Sequence, residues 1–152
     1  LSASLITQIH RRVEDANRGE NPRVIARLPS GWAVMGDSQF LRGYCLLLPD
    51  PVVPALNDLT HDARARFLAD LTLLGDAVIR LCNPLRLNYE ILGNLEPALH
   101  AHIFPRYESE PADLRTKPVW LYPPAVWTDP ALAFDPTRHA DLLQSLRAAL
   151  ER

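Results

Sequence analysis

His100 and His102 stand two residues apart in the stretch LEPALHAHIFPRY, Leu95 to Tyr107. Apolar residues flank both, and Pro105-Arg106 follows. Three chemistries compete for a pair of imidazoles at that spacing. They could ligate a metal, they could be ordinary buried histidines, or one could be a nucleophile and the other its partner.

In an extended chain, alternate side chains share a face. Ala98, His100 and His102 therefore point one way, and Leu99, Ala101 and Ile103 the other. The second set suits packing against a helix, which leaves the first lining something polar or open. For a metal, a structural zinc takes four ligands and a catalytic one typically three. No nearby Cys, His, Asp or Glu completes an obvious set. Glu96 shares the face but lies beyond Pro97, and His61 and His139 fall near helix starts.

Nucleophilic chemistry asks for less. Near pH 7 much of an ordinary imidazole is neutral, with one basic ring nitrogen. That nitrogen can attack phosphorus if the other one donates to a fixed acceptor, which sets tautomer and ring direction. A second imidazole on the same face can donate to phosphate oxygens as charge develops. Gly93 and Asn94, just upstream, offer backbone and side-chain N–H groups for an anion. Cys45 is a poor alternative nucleophile, because its apolar run disfavours a thiolate.

These residues need elements to hold them. Leu5, Ile6, Ile9 and Val13 fall at helical spacing, predicting an amphipathic helix that ends near Asn17–Gly19, with His10 and two arginines on a solvated flank. Strands are predicted at Val24–Leu28 and Trp32–Gly36 around the turn Pro29-Ser30-Gly31, then at Tyr44–Leu48 between Gly43 and Pro49. Thr60 caps a long helix running to about Leu81, with Phe67, Leu68, Leu71, Leu74, Val78 and Ile79 as its apolar stripe. Strands follow at Arg86–Leu92 and Leu99–Phe104, separated by a turn at GNLEP. A last helix should start at Asp135-Pro136. The order predicts an α+β domain on an antiparallel sheet.

The stretch LGNLEPALHAHIFPRY resembles the signature of the histidine triad (HIT) family, His-φ-His-φ-His-φ-φ followed by Pro-Arg. GDSQFLRGYCLLLPD, the loop ending LNDLT and the long helix are similar to what precedes that motif in the family, so Trp32 to Tyr107 matches in order and spacing. The variant spelling looks most like a bacterial, dinucleoside polyphosphate hydrolase-like branch. The resemblance implies a HIT-like antiparallel sheet with one long helix packed on it and additional N- and C-terminal helices. It implies one domain over residues 1–152, with a core at about 21–107 and a Pro/aromatic tail and helix at 108–152.

Carried over by position, His100 matches the family's nucleophile, which forms a covalent nucleotidyl-histidine, and His102 the histidine that contacts the α-phosphate. Gly93, Asn94 and Leu95 match its phosphate-contacting turn. Asn88 falls near a phosphate- or ribose-contacting asparagine, and Trp32, Val34 and Asp37 lie where the family builds its base and ribose pocket. Two positions depart: Ala98 replaces the first histidine of the triad, and Tyr44 replaces the histidine of an upstream Gly-His. The nucleophile's acceptor in this family is the backbone carbonyl at the first position, which Ala98 still supplies. The implied activity is nucleotidyl hydrolysis or transfer on a dinucleoside polyphosphate or related nucleoside phosphate. The alternative is a nucleotide-binding module with little turnover. The implied protein is a homodimer that needs no metal or other cofactor.

Bulk composition agrees with a globular domain of 152 residues, 47% hydrophobic and 22% charged. A net charge of −2 gives no broad attraction to nucleic acid or anionic membrane, so phosphate chemistry must come from a local site. Cys45 and Cys82 read as free thiols in a reducing cytoplasm, and neither a leader nor an apolar run long enough to span a bilayer is recognisable. The 14 prolines cluster partly in Lys117–Pro136 with Trp120, Tyr122 and Trp127, a segment expected to pack over the domain or across a dimer and, second, to act as a substrate lid. Arg106 reads equally as a phosphate contact or a solvated strand end.

Overall fold

The computed structural model describes residues 5–151. Five strands form one antiparallel sheet: β1 Val24–Leu28, β2 Gly31–Met35, β3 Cys45–Pro49, β4 Arg86–Glu90 and β5 Ala101–Arg106, in the order β1-β2-β3-β5-β4. The helices are α1 Gln8–Asn17, α2 His61–Cys82, α3 Ala125–Thr128 and α4 Ala140–Leu150. This is the α+β architecture expected.

Helices α2 and α4 cover one face of the sheet. There Phe67, Leu71, Leu74, Val78, Leu142 and Leu146 bury themselves with Ala33, Leu47, Leu99, Ala101 and Ile103. Two members of the predicted α2 stripe do not join them: Leu68 and Ile79 are exposed. Phe67, Leu71, Leu74 and Val78 step by four and three residues along one line. Leu68 and Ile79 lie one residue further, about 100° round the helix, and reach solvent. Thr60 caps α2 as expected, its hydroxyl accepting the Ala63 N–H.

On the other face, α1 and the aromatic segment around Val119 and Tyr122 pack on Val34, Leu46, Leu48 and Phe104. Helix α1 starts later than its apolar spacing suggests, and Leu5 and Ile6 are exposed ahead of it. Thr7 is the cap: its hydroxyl takes the Ile9 and His10 N–H groups, while His10 Nδ1 accepts the Thr7 N–H at 3.2 Å. His10 is thus half of a capping box rather than a solvated flank residue. The last helix also starts later than expected. Asp135 Oδ1 accepts from the Thr137 and Arg138 N–H groups in a turn, and α4 proper begins only at Ala140.

Among the described residues no helix is long and apolar enough to cross a membrane.

Candidate active site

Strand β5 opens at Ala101, so His100 stands one residue ahead of it, where the Leu99 N–H bonds Val53 O of a neighbouring loop instead of a strand partner. The chain stays extended, and the alternation of faces holds. Leu99, Ala101 and Ile103 enter the α2 side, while Ala98, His100, His102 and Phe104 face the other.

His100 is 9% exposed, yet its ring borders two clefts. One, of about 300 Å³, is lined by Leu92, Gly93, Asn94, Leu95, Glu96, His102 and Trp120 besides His100. The other, of about 360 Å³, runs beside Leu56, Asn57, Gly93 and Ala98. His100 Nδ1 lies 2.7 Å from Ala98 O. A carbonyl only accepts, so Nδ1 carries a proton, and in the neutral ring the lone pair is on Nε2. That is the geometry a nucleophilic imidazole requires.

His102 sits beside it, the ring centroids 4.9 Å apart and nearly perpendicular. Its Nδ1 is 2.7 Å from the Tyr44 hydroxyl. Burial, and secondarily the neighbouring His100, pull the His102 pKa from 6.5 down to about 3. Burial, followed by the nearby Asp37, pushes the Tyr44 hydroxyl well above its ordinary value, so it stays protonated, and among the described residues Nδ1 of His102 is the one acceptor within its reach, so it donates there. His102 is therefore neutral, accepts at Nδ1 and carries its proton on Nε2. Gly36 makes room for this: a Cβ there would fall 2.1 Å from the Tyr44 ring.

Gly93 adopts a φ of +81°, which favours glycine, and turns the loop beneath the imidazoles. Among the described residues no hydrogen bond takes up the N–H groups of Gly93, Asn94 or Leu95. The Leu95 side chain is 94% exposed at the rim.

The remaining residues singled out from the sequence lie elsewhere. Asn88 shares the sheet face, but its Oδ1 accepts from Arg106 Nη1 at 2.9 Å and it borders a different cavity. Asp37 is held by Arg12 and Arg23. Trp32 donates its indole N–H to Asn17 Oδ1 and lies under the Arg27 guanidinium. Tyr44 borders neither cleft and reaches the histidine pair through its hydroxyl contact with His102. Arg106 is neither a phosphate contact nor solvated: it is buried on Glu110 at 2.9 Å. Burial drives the Cys45 thiol pKa up, so it is no nucleophile.

Trp120, expected first to pack over the domain or across a dimer and second to form part of a lid, lines the cleft. Its ring meets His102 edge-on at 5.4 Å, stacks on Trp127 at 5.0 Å, and its indole N–H bonds Glu90. The signal available was compositional only, an aromatic cluster among prolines. Among the described residues no group of three His, Cys, Asp or Glu comes together to hold a metal.

A sequence model of the HIT domain matches residues 18–109, more than half of the chain. This protein belongs to the HIT family. That is a family of nucleotide-binding proteins, hydrolases and transferases. A histidine triad protein from Bradyrhizobium japonicum is 26% identical over 84% of this HIT chain and 89% of its own, with a TM-score of 0.67. One from Marinobacter aquaeolei VT8 is 20% identical over 97% and 98%, with a TM-score of 0.72. A hypothetical histidine triad nucleotide-binding protein from Sulfolobus tokodaii strain7 is 17% identical over 93% and 91%, with a TM-score of 0.68. The last two likenesses speak for the fold. A search of curated proteins finds no match to this sequence.

Proposed function

We propose that this HIT protein transfers or hydrolyses a nucleotidyl group from a dinucleoside polyphosphate or related nucleoside phosphate through His100. The observation that carries the reading is the 2.7 Å contact from His100 Nδ1 to Ala98 O, which assigns the lone pair of the neutral ring to Nε2 in a residue that lines both clefts. Nε2 attacks the α-phosphorus, an N–P bond forms, and the bridging P–O bond breaks. The leaving phosphate or nucleotide departs with that electron pair. The positive charge left on the ring is shared with the Ala98 carbonyl through Nδ1–H. His102 Nε2–H and the N–H groups around Gly93 and Asn94 stabilise the phosphate oxygens. Water then attacks phosphorus, the N–P bond breaks, and its electron pair returns to Nε2 as the proton leaves to solvent or the departing phosphate. No step calls on a metal.

A nucleotide-binding module with little turnover is the second reading, and one observation favours it. Position 98 is a fully buried alanine, so no third imidazole supports the reacting pair. One experiment separates the two. The protein is mixed with a dinucleoside polyphosphate, quenched in base to preserve phosphohistidine, and weighed. A nucleotidyl adduct that disappears in His100→Ala, with turnover lowered about a thousandfold or more, supports the enzyme. Binding without adduct or turnover supports the module, and turnover surviving in His100→Ala overturns the His100 mechanism.

The protein further forms a homodimer in this reading, through β4 at the sheet edge. Among the described residues only β5 pairs with that strand, and Tyr89 in it and Leu85 and Leu92 beside its ends are exposed. Sedimentation of the parent against Tyr89→Glu tests this. Two free thiols fit a cytoplasmic setting.

A further inference from the structure

A cavity of about 610 Å³ lies on the same sheet face as the histidines, further along β4 and β5. Strand β4 contributes Arg86, Asn88 and Glu90 to it, and the segment after β5 contributes Arg115, Thr116 and Lys117. Arg106 also borders it, but Glu110 neutralises that guanidinium. Among the described residues Arg86, Arg115 and Lys117 make no ion pair. One carboxylate, Glu90, lines the cavity, and one of its oxygens accepts the Trp120 indole N–H.

We propose that this cavity is a second anion site, separate from the His100 clefts, which takes a phosphate chain carrying three or more negative charges. Three unpaired cations around one concavity stand out on a chain whose net charge is −2. Glu90 and solvent offset their mutual repulsion only in part, and an entering anion lowers it further. The two guanidinium forks suit paired phosphate oxygens, and the Lys117 ammonium adds a point charge. Asn88 gives Oδ1 to Arg106, which turns its amide N–H₂ into the donor left for a ligand. The volume falls within the range of small-molecule sites and leaves room for several phosphates.

The site is also mechanically close to the chemistry. Lys117 and Trp120 belong to one short segment anchored by fully buried Val119. Trp120 stands between the two concavities, its N–H on Glu90 at the margin of one and its ring edge on His102 in the other. An anion that draws Lys117 inward acts on the segment that carries Trp120, so indole fluorescence reports its arrival.

The phosphate chain has two possible sources: a free oligophosphate, or the distal end of a dinucleoside polyphosphate. The test uses tripolyphosphate at constant ionic strength, followed by titration calorimetry and tryptophan fluorescence. The proteins are the parent, His100→Ala, the double variant Arg86→Ala/Lys117→Ala and the charge-keeping Arg86→Lys/Lys117→Arg. All substituted cations are exposed, and unchanged thermal unfolding without ligand certifies each fold. Tripolyphosphate should bind the parent and His100→Ala alike and bind the double alanine variant at least tenfold more weakly, the charge-keeping variant staying within a few fold. Binding that persists under saturating AMP identifies a free anion. Affinity for dinucleoside polyphosphates that rises with chain length in the parent, but not in the alanine variant, identifies the substrate's own distal phosphates. Equal affinity in the alanine variant, loss in His100→Ala, or no binding at all overturns the proposal. Because His100→Ala is in the set, failure here is distinct from failure of the nucleophile.

Discussion

The hydroxyl of Tyr44 donates to Nδ1 of His102 across 2.7 Å, and this contact decides which ring nitrogen of His102 can face a phosphate. Tyr44 comes from the residue before β3 and His102 from the neighbouring strand β5, so the pairing of those strands sets the contact. Phe104 stacks on Tyr44 at 4.2 Å and on His102 at 5.3 Å, which restrains both rings. A tyrosine therefore does here, by hydrogen bonding alone, what orients a neutral imidazole.

Tyr44→Phe should keep the fold and lose this orientation. The ring stacking survives, and one buried acceptor is left without a donor, so stability should fall by about 1–3 kcal/mol. His102 can then take the wrong tautomer. Supporting contacts of this kind are typically worth about 10–100-fold, and the loss should fall on kcat with KM little changed. Steady-state kinetics against denaturant midpoints checks this. An unchanged kcat would remove Tyr44 from the mechanism.

The depressed pKa of His102 makes a pH statement of defined sign. In the unfolded chain the imidazole takes a proton below about pH 6.5, whereas in the folded protein it does so only near 3. Between those values the unfolded state binds more protons, so stability rises with pH there and falls as the medium is acidified. His102→Asn should flatten the stability profile between pH 6.5 and 3 relative to the parent. Parallel profiles from urea titrations at several pH values would refute the assignment.

Much of this site was legible because a strand has a period of two. That alone separated Ala98, His100 and His102 from Leu99, Ala101 and Ile103, and the packing follows it. The acceptor for His100 came from the family resemblance alone, and it survives the loss of the first histidine because a backbone carbonyl needs no particular side chain. Hydrogen bonds between distant segments were not. Nothing in the local pattern says that Asp37 meets Arg12 and Arg23, that Asn88 meets Arg106, or that Trp120 folds back onto His102. The Thr7–His10 capping box was local, but an apolar period that runs on into Leu5 and Ile6 hid it.

A buried ion pair holds the segment that carries Trp120 in place. Glu110, with a side chain 4% exposed, accepts from Arg106 Nε and Nη2, from the Tyr122 hydroxyl at 2.7 Å and from the Tyr107 N–H at 2.6 Å. Arg106 in turn donates to Lys117 O and Leu114 O, so one ion pair staples residues 107–122 to β5. Burial pushes the Glu110 carboxyl pKa up, but the hydrogen bonds from Arg106, Tyr122 and Tyr107 outweigh it and hold the group below its ordinary 4.5. Its stabilising contribution is therefore present above pH 4.5 and is lost as pH falls through the lower folded value. Glu110→Ala leaves a buried guanidinium without a counter-charge, which should cost about 3–5 kcal/mol. Removing both charges in Arg106→Met/Glu110→Leu should recover part of that loss. It cannot recover all of it, because Lys117 O and Leu114 O lose their donor. A double-mutant cycle in denaturant measures the coupling, and a red-shifted tryptophan emission in Glu110→Ala would report Trp120 leaving His102. Additive single variants with unchanged emission would mean that the aromatic segment is held by its own packing instead.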